Sequence, residues 1–311
     1  MKLGVKKRVL VTGASGFIGT HLVSRLCKEN MQVGVLRKSK LVGTLKNDHE
    51  EFLQANILDY DQMKAVVQYF QPEIVCHLAG LRPNGHSWRD VLQAYEINLL
   101  GTMNLLRSLQ GVNCQSVILV GSVAEYGRGP TPYREHQALY PTSAYGTAKA
   151  AATALGCLCY NYFKLPVVTL RLALVYGPGQ GEQFFLSQLI KSLLLEQPFA
   201  MTGGEQYRDF IHVNDVVEAL WLAANTPRAR GGILNIGMGQ SYPLKEVAMT
   251  VATSLGRTEL LRIGERPYAQ GEQFAYCVDT QLARQVLNWQ PKVSLEKGIM
   301  DTISWYQGTL L

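Results

Sequence analysis

Tyr145-Gly146-Thr147-Ala148-Lys149 sets a phenol and a primary amine four residues apart. On a helix that spacing brings both side chains to one face. A free tyrosine titrates at about 10, too high for easy proton exchange at neutral pH. A neighbouring ammonium favours the phenolate and lowers that value. The phenol then becomes a proton donor and acceptor for an oxygen held against it. Such a pair is common by chance. Ser122 gives it weight, because it follows the strand-like run Ser116 to Val120 and can hydrogen-bond the same oxygen.

A second group of residues suits a phosphate-bearing ligand. The short strand signal Arg8-Val9-Leu10-Val11 runs into Thr12-Gly13-Ala14-Ser15-Gly16-Phe17-Ile18-Gly19, and Ile18, Leu22 and Leu26 then follow at helical spacing. Gly13 permits a tight turn, Gly16 lets the backbone approach a pyrophosphate, and Gly19 lets helix and strand pack closely. The free N–H groups at the helix start face the phosphates. A strand before and a helix after separate a dinucleotide loop from an ordinary glycine-rich turn. The next strand, Gln32 to Leu36, normally ends in an acid that holds a ribose hydroxyl; here Arg37-Lys38-Ser39-Lys40 follows. Arg37 can pair with a 2′-phosphate, so NADP(H) is favoured. If Arg37 and Lys38 are only solvated loop charges, NAD(H) binds instead.

The elements that must position these groups alternate between strand and helix. Strands are expected at Glu51 to Ile57, Ile74 to Leu78, Ser116 to Val120 and Val167 to Leu172. Helices are expected from Asp59 to Phe70, Val91 to Leu109 and Ser143 to Phe163. This rhythm predicts an α/β fold, a Rossmann-type doubly wound parallel sheet covered on both faces. After Tyr176-Gly177-Pro178-Gly179 glycine and proline become frequent. The expected division is a dinucleotide-binding domain over 1–175 and, over 176–311, mostly a smaller substrate-binding lobe with segments returning to the first domain.

Composition narrows the class. Of the 311 residues 47% are apolar and 17% charged, the balance of an ordinary globular protein. No apolar run approaches the roughly 20 residues of a membrane-spanning helix. Met1 to Arg8 lacks the apolar stretch of a secretory signal, so a cytoplasmic protein is expected, with no membrane partner. The net charge of +6 is modest and scattered, which fits an anionic small molecule better than nucleic acid. The six cysteines form no CxxC pair and the six histidines show no metal-ligand spacing, so reduced thiols and no metal are expected. His77 and His212 border apolar strands and read as structural.

Taken together, these motifs resemble the extended short-chain dehydrogenase/reductases, in particular the nucleotide-sugar epimerase/dehydratase/reductase family. The resemblance rests on Val11 through Gly19, His77-Leu78-Ala79-Gly80, Glu96 to Thr102 around Asn98, and Gly121-Ser122-Val123-Ala124-Glu125-Tyr126-Gly127. It continues through Pro141 to Tyr145, Leu170-Arg171 to Gln180, Arg208-Asp209-Phe210-Ile211-His212-Val213 and Leu287-Asn288-Trp289-Gln290-Pro291. It covers nearly the whole chain and implies a nucleotide-diphosphate-sugar substrate. It implies cofactor contacts from Gly13, Ser15, Gly16, Phe17, Ile18, Gly19, Arg37, Lys38, Asn56, Ile57, Leu78, Ala79, Gly80, Asn98, Tyr145, Lys149, Leu172 and Val175. Asn56 and Ile57 stand where the family places its adenine contacts, and Asn98 would orient the loop beside the nicotinamide. By analogy Arg208 and Arg266 hold the substrate diphosphate, with structural ion pairs as the alternative. Leu174 departs from the asparagine often found at its position. The loop Leu81 to Trp88 borders the substrate, with Arg82, Asn84, His86 and Ser87 as candidate contacts.

The resemblance also sorts reactions. Dehydrating members carry one or two carboxylates just after the catalytic Ser or Thr, to move protons at neighbouring carbons. Val123 and Ala124 occupy those positions here, and Glu125 stands one step further on, so dehydration and decarboxylation are disfavoured. The run Val120 to Gly127 is more similar to the 4-keto-6-deoxy-sugar reductases than to the galactose epimerases. With Arg37, the expected reaction is NADPH-dependent reduction of an NDP-4-keto-6-deoxyhexose. Tyr145 would protonate the oxygen, Lys149 bind ribose and tune Tyr145, and Ser122 polarise the ketone. The alternative is an NAD-dependent NDP-hexose 4-epimerase. The helix from Ser143 to Phe163, rich in small residues and apolar most of the way round, calls for burial on more than one side; the resemblance implies that it packs, with the helix near residues 91–109, against a mate in a homodimer, and packing inside one subunit is the other reading.

Overall fold

The computed structural model describes residues 6–39, 48–83, 85, 87–269 and 271–310. Lys40, Asn84 and His86, named above, lie outside them. Strands β1 (Arg8–Thr12), β2 (Gln32–Arg37), β3 (Glu50–Gln54), β4 (Ile74–His77), β5 (Ser116–Ser122) and β6 (Val167–Leu172) form a parallel sheet. Strand β3 stops at Gln54, short of the expected Ile57, because Asn56 closes a turn in which its Oδ1 accepts from Leu58 N–H. Strand β5 runs on past Val120 and carries Ser122 into register beside Leu172.

Helices α1 (Phe17–Lys28), α2 (Tyr60–Phe70), α3 (Trp88–Tyr95), α4 (Gly101–Ser108) and α5 (Ala144–Phe163) cross between the strands. Asp59 caps α2 through the N–H of Gln62, as its position predicts. The helix expected from Val91 begins earlier, because Ser87 and Asp90 form a capping box at Trp88. It is also not uniform: Glu96–Leu100 form a π-helical segment between α3 and α4. Alternate strand residues enter opposite cores. Val9, Val11, Val33, Val35, Ile74 and Ile118 pack on the α1 side, and Leu10, Leu36, Val75, Val117 and Leu119 pack against α2, α4 and α5.

Beyond β6 come β7 (Leu174–Tyr176), α6 (Phe185–Leu194), β8 (Phe199–Met201), β9 (Tyr207–Arg208), β10 (Phe210–His212), α7 (Val213–Asn225) and β11 (Ile233–Ile236). They are followed by β12 (Tyr242–Pro243), α8 (Leu244–Leu255), β13 (Leu261–Ile263), α9 (Gln281–Leu287) and α10 (Leu295–Leu310). Strand β11 joins the main sheet beside β6, giving the order β11-β6-β5-β4-β1-β2-β3. Residues of α7 and α9 belong to the α1-side core. Leu186, Leu189, Phe199, Phe210, Val247, Val251, Leu295 and Ile299 form a third core, separate from the sheet. The strand order reverses between β1 and β4, which opens a crevice at their carboxyl ends. Gly13, Leu78 and Ser122 all follow or end strands at that edge.

Candidate active site

At the end of β1, Gly13 has φ +66° and lies against the peptide of Leu78 and Ala79; a Cβ there would sit 2.6 Å from Ala79 N. A Cβ on Gly19 would sit 2.2 Å from the Gly13 carbonyl oxygen. These two glycines are therefore required by backbone contact. Gly16 is the N-cap of α1 and supplies no side-chain cap, so the first N–H groups of the helix stay available to an anion. Thr12 links this loop to the next one: its Oγ1 accepts from Ala79 N–H at 3.1 Å and bonds His77 Nδ1 at 2.7 Å.

His77 is buried and also bonds Thr102 Oγ1 at 2.9 Å, which satisfies both ring nitrogens. Burial, helped by the Lys149 charge, pulls His77 down to about 3, so the ring is neutral. His212 is satisfied on one nitrogen only, accepting from Asn214 N–H. Asn98, wholly buried, sits in the π segment. It accepts from Leu81 N–H and donates to the carbonyls of Leu81 and Ala94. The extra residue in that turn aims one side chain at a loop rather than along the helix. Asn98 thereby fixes Leu81 and presents Arg82, which is exposed.

Tyr145, Lys149 and Thr153 stand on one face of α5, turned toward β5. Lys149 is buried, and its Nζ donates to the Val120 carbonyl at 2.8 Å. Desolvation brings this ammonium down to about 8, against the pull of Glu125. Tyr145 is half-buried, with Lys149 Nζ 5.8 Å from the ring centroid. The expectation that Lys149 lowers the phenol is corrected here. Burial raises Tyr145 above its ordinary value, and the groups that oppose the rise are Ser122, by a side-chain hydrogen bond, and Arg82, by its charge. Ser122 Oγ also accepts from Ala124 N–H. Val123 is buried in the core. Glu125 is wholly buried and paired with Arg171 at 2.7 Å, so it does not face the crevice.

Across the crevice, Arg208 is mostly buried. It donates to the Tyr207 carbonyl and pairs with Glu272, while its guanidinium stacks 4.7 Å from the centroid of Tyr276. Asp209 accepts from the N–H groups of Met238, Gly239 and Val278, and burial raises its carboxyl to about 6. Arg266 does not join Arg208 in any described bond. It is exposed and lines a separate hollow with Glu182, Lys191, Gln197 and Ala200. Leu174 is half-buried against the third core. None of the six cysteines, all among the described residues, forms a disulfide. No group of three or more His, Cys, Asp or Glu among the described residues is arranged to hold a metal. No described helix is long and apolar enough to cross a membrane.

The family model for NAD dependent epimerase/dehydratase enzymes matches residues 9–237. The chain belongs to that family. It is 30% identical to a UDP-glucose 4-epimerase of Mycolicibacterium smegmatis, covering 96% of this chain and 98% of the relative. It is similar to the structure of a UDP-glucose 4-epimerase of Thermotoga maritima with UDP-glucose (28% identity, TM-score 0.90, 98% of this chain and 100% of the other). It is likewise similar to a UDP-glucuronic acid 4-epimerase of Bacillus cereus in complex with UDP-glucuronic acid and NAD (25% identity, TM-score 0.88, 97% and 99% covered).

Within this epimerase/dehydratase fold the residues singled out by sequence fall into two groups. Gly13 to Gly19, Leu78 to Gly80, Asn98, Ser122, Tyr145 and Lys149 converge on the carboxyl ends of β1, β4 and β5. Arg37 closes β2, and its Nε is buried with no hydrogen-bond partner among the described residues. Lys38 follows it, exposed. Asn56 is engaged in its own turn, and Ile57 packs under Gly101. Leu172 lies in the core, leaving only its main chain to face outward, and Val175 packs beside it. The residues that sequence reasoning passed over are Glu125 as a buried ion partner, Thr153, Glu272 and Tyr276. Thr153 alone carried a signal, being eight residues after Tyr145 on the same helical face.

Proposed function

We propose that this protein is a nicotinamide-dependent NDP-hexose 4-epimerase. The observation that carries the reading is the Ser122–Tyr145–Lys149 cluster with no further acid–base group beside it among the described residues: Val123 is in the core, Ala124 has no polar side chain, and Glu125 is paired with Arg171. Such a site moves a proton at one oxygen and does not abstract one from a neighbouring carbon. The resemblance to 4-epimerases along the whole chain supports this alternative better than the 4-keto reduction favoured by sequence reasoning.

A dinucleotide fits the loop after β1, where Gly13 and Gly19 leave no room for a side chain and α1 has an open N-terminus. Gly13, Ser15, Gly16, Phe17, Ile18 and Gly19 would hold its pyrophosphate, and Arg37 and Lys38 would flank the adenosine ribose. Asn56 and Ile57 would border adenine, and Leu78 to Gly80, Asn98, Leu172 and Val175 the other half. When bound, it supplies a hydride acceptor and donor at the sugar's C4. Tyr145 takes the proton from O4 and later returns it. Ser122 donates a hydrogen bond to the same oxygen, and Lys149 holds positive charge behind the phenol. Arg82 and Arg208 face the substrate from opposite sides, Arg208 toward its diphosphate. The third-core segment around Leu174 and Arg266 forms the substrate lobe.

The test is incubation with UDP-glucose and, separately, UDP-glucuronate in deuterated water, followed by proton NMR. The expected products are the C4 epimers without deuterium. Deuterium at C5, or no epimer from either sugar, overturns the reading. One observation favours a second reading, reduction by NADPH: the Arg37 guanidinium at the end of β2, whose Nε has no partner among the described residues, suited to a 2′-phosphate. Cofactor titration separates the two. Tightly retained NAD fits the epimerase; freely exchanging NADPH, preferred over NADH and weakened about tenfold by R37A, fits the reductase.

We also infer a homodimer. The small residues Gly146, Ala148, Ala152 and Gly156 of α5 face inward, where a Cβ on Gly156 would meet Leu119 and Val167. That stripe is intrasubunit packing. The outward face is different: Leu158 and Tyr162 of α5 and Trp88, Leu92 and Met103 of the neighbouring α3 and α4 are exposed, Trp88 by 83%. A second copy of this surface would cover them. Light scattering should report twice 34.5 kDa, and W88E with L92E should report one chain.

A further inference from the structure

Glu125 has no exposed surface and three polar neighbours. Its Oε1 accepts from Ser122 N–H at 2.8 Å. Its Oε2 accepts from Thr153 Oγ1 at 2.9 Å and from Arg171 Nε at 2.7 Å. Gly121 makes room for it, since a Cβ there would sit 2.4 Å from Oε1. The Tyr126 ring covers Arg171 from the other side, 4.7 Å from its guanidinium carbon. The three elements it joins are the end of β5, the middle of α5 and strand β6.

We propose that Glu125 is the positioning residue of this site, and that its carboxylate both locks α5 in register against β5 and sets the charge felt by Lys149 and Tyr145. The inference rests on the oxidoreductive reading above for its kinetic part only. Tyr145, Lys149 and Thr153 are rungs four residues apart on one helix face, and each meets the end of β5. Tyr145 meets the Ser122 hydroxyl, Lys149 the Val120 carbonyl, and Thr153 the Glu125 carboxylate. The first two rungs are the reacting ones. The third lies out of the crevice and fixes the spacing of the others. Because the same carboxylate grips the Ser122 main chain, Ser122 and Tyr145 cannot drift apart without breaking it.

The charge acts in the same place. Among the described residues, the groups facing Lys149 and Tyr145 are His77 from β4, Arg82 from the following loop, Ser122 at the end of β5 and Glu125 in the turn after it; Arg171 on β6 stands behind Glu125. His77 is neutral, and Glu125 is the one carboxylate among these described groups. It favours the ammonium of Lys149 and disfavours the phenolate of Tyr145. Removing the charge while keeping the shape lowers both values.

The experiment compares E125Q and T153V with the intact protein, each checked for fold by circular dichroism. E125Q should shift the pH profile of kcat toward lower pH. It should also shift the tyrosinate absorbance titration of Tyr145, isolated by subtracting the matching Y145F proteins, in the same direction. T153V keeps every charge and removes the pin. It should lower kcat about tenfold or more with KM and the pH profile unmoved. The absorbance titration needs no substrate, so a shift there without turnover would sink the epimerase reading and leave the role of Glu125 standing. A folded E125Q with an unshifted Tyr145 titration overturns the charge role, and unchanged kcat in T153V overturns the pin. Should E125Q not fold, the double variant E125Q with R171M, which neutralises the buried pair as a unit, carries the Tyr145 titration with the same expected downward shift, and T153V decides the pin.

Discussion

Asn98 and Arg208 are both buried, both polar and both beside the crevice, yet they are held differently. Asn98 bonds three main-chain groups, at Leu81 and Ala94. Arg208 bonds one main-chain carbonyl and the carboxylate of Glu272, 64 residues further along. A main-chain partner cannot leave without local unfolding. A carboxylate can be exchanged for another anion at little cost. On the proposed reading, the dinucleotide side is set before any ligand arrives, and the substrate side carries a cation that a diphosphate would take over from its internal partner. The site would then combine a rigid reaction centre with an adjustable binding end.

The largest expected effect breaks the rigid side at its reacting atom. Y145F should cut turnover about a thousandfold while the protein still folds and binds its cofactor. Normal turnover would move the proton chemistry elsewhere. Next comes the frame itself: N98A strands the Leu81 N–H and two carbonyls, and should cost about 2 kcal/mol of stability in urea denaturation. A neutral N98A would mean the loop is held by other contacts.

The adjustable side is tested by a pair of variants. R208M should raise KM for the nucleotide sugar about thirtyfold, the worth of one charge-assisted bond, with kcat little changed. E272Q should lower KM, because the ligand no longer competes with the carboxylate. If E272Q instead raises KM, Arg208 depends on Glu272 for its position, and the contrast with Asn98 disappears.

The smallest effect concerns pH. His77 is held neutral, pulled by burial down to about 3 from its ordinary 6.5. Its contribution is intact above about 6.5 and is lost as pH falls from there toward 3. Asp209, raised to about 6, acts with the opposite sign, contributing below the ordinary carboxylate range and losing that as pH rises through 6. Urea midpoints at pH 7 and pH 5 for H77Q and wild type isolate His77: the drop on acidification should be smaller in H77Q. Equal drops would show that the ring is not buried neutral.

Much of the reaction centre was legible in sequence because it rests on short-range geometry. The glycine spacing after β1, the Asp59 cap and the four-residue interval from Tyr145 to Lys149 need only local backbone rules. The π segment was not legible, since nothing in Glu96 to Leu100 departs from helical patterning. Nor was the direction of the α5 small-residue stripe, because an apolar helix does not declare which side meets the sheet. The position of Glu125, one step beyond the acids of dehydrating relatives, reads as remote from the sugar, and the structure buries it. What could not be read was that Arg171, 46 residues away, awaits it.

The sequence by itself determined an α/β chain of the epimerase/dehydratase kind, with its dinucleotide loop and its Ser, Tyr and Lys, because these depend on residue type and spacing along one strand or helix. Only the tertiary structure decided which charges meet: Glu125 with Arg171, Arg208 with Glu272, and Arg266 with neither. Those pairings join residues distant in the chain, and what each is worth depends on a burial that forms only when the sheet and its helices close around them.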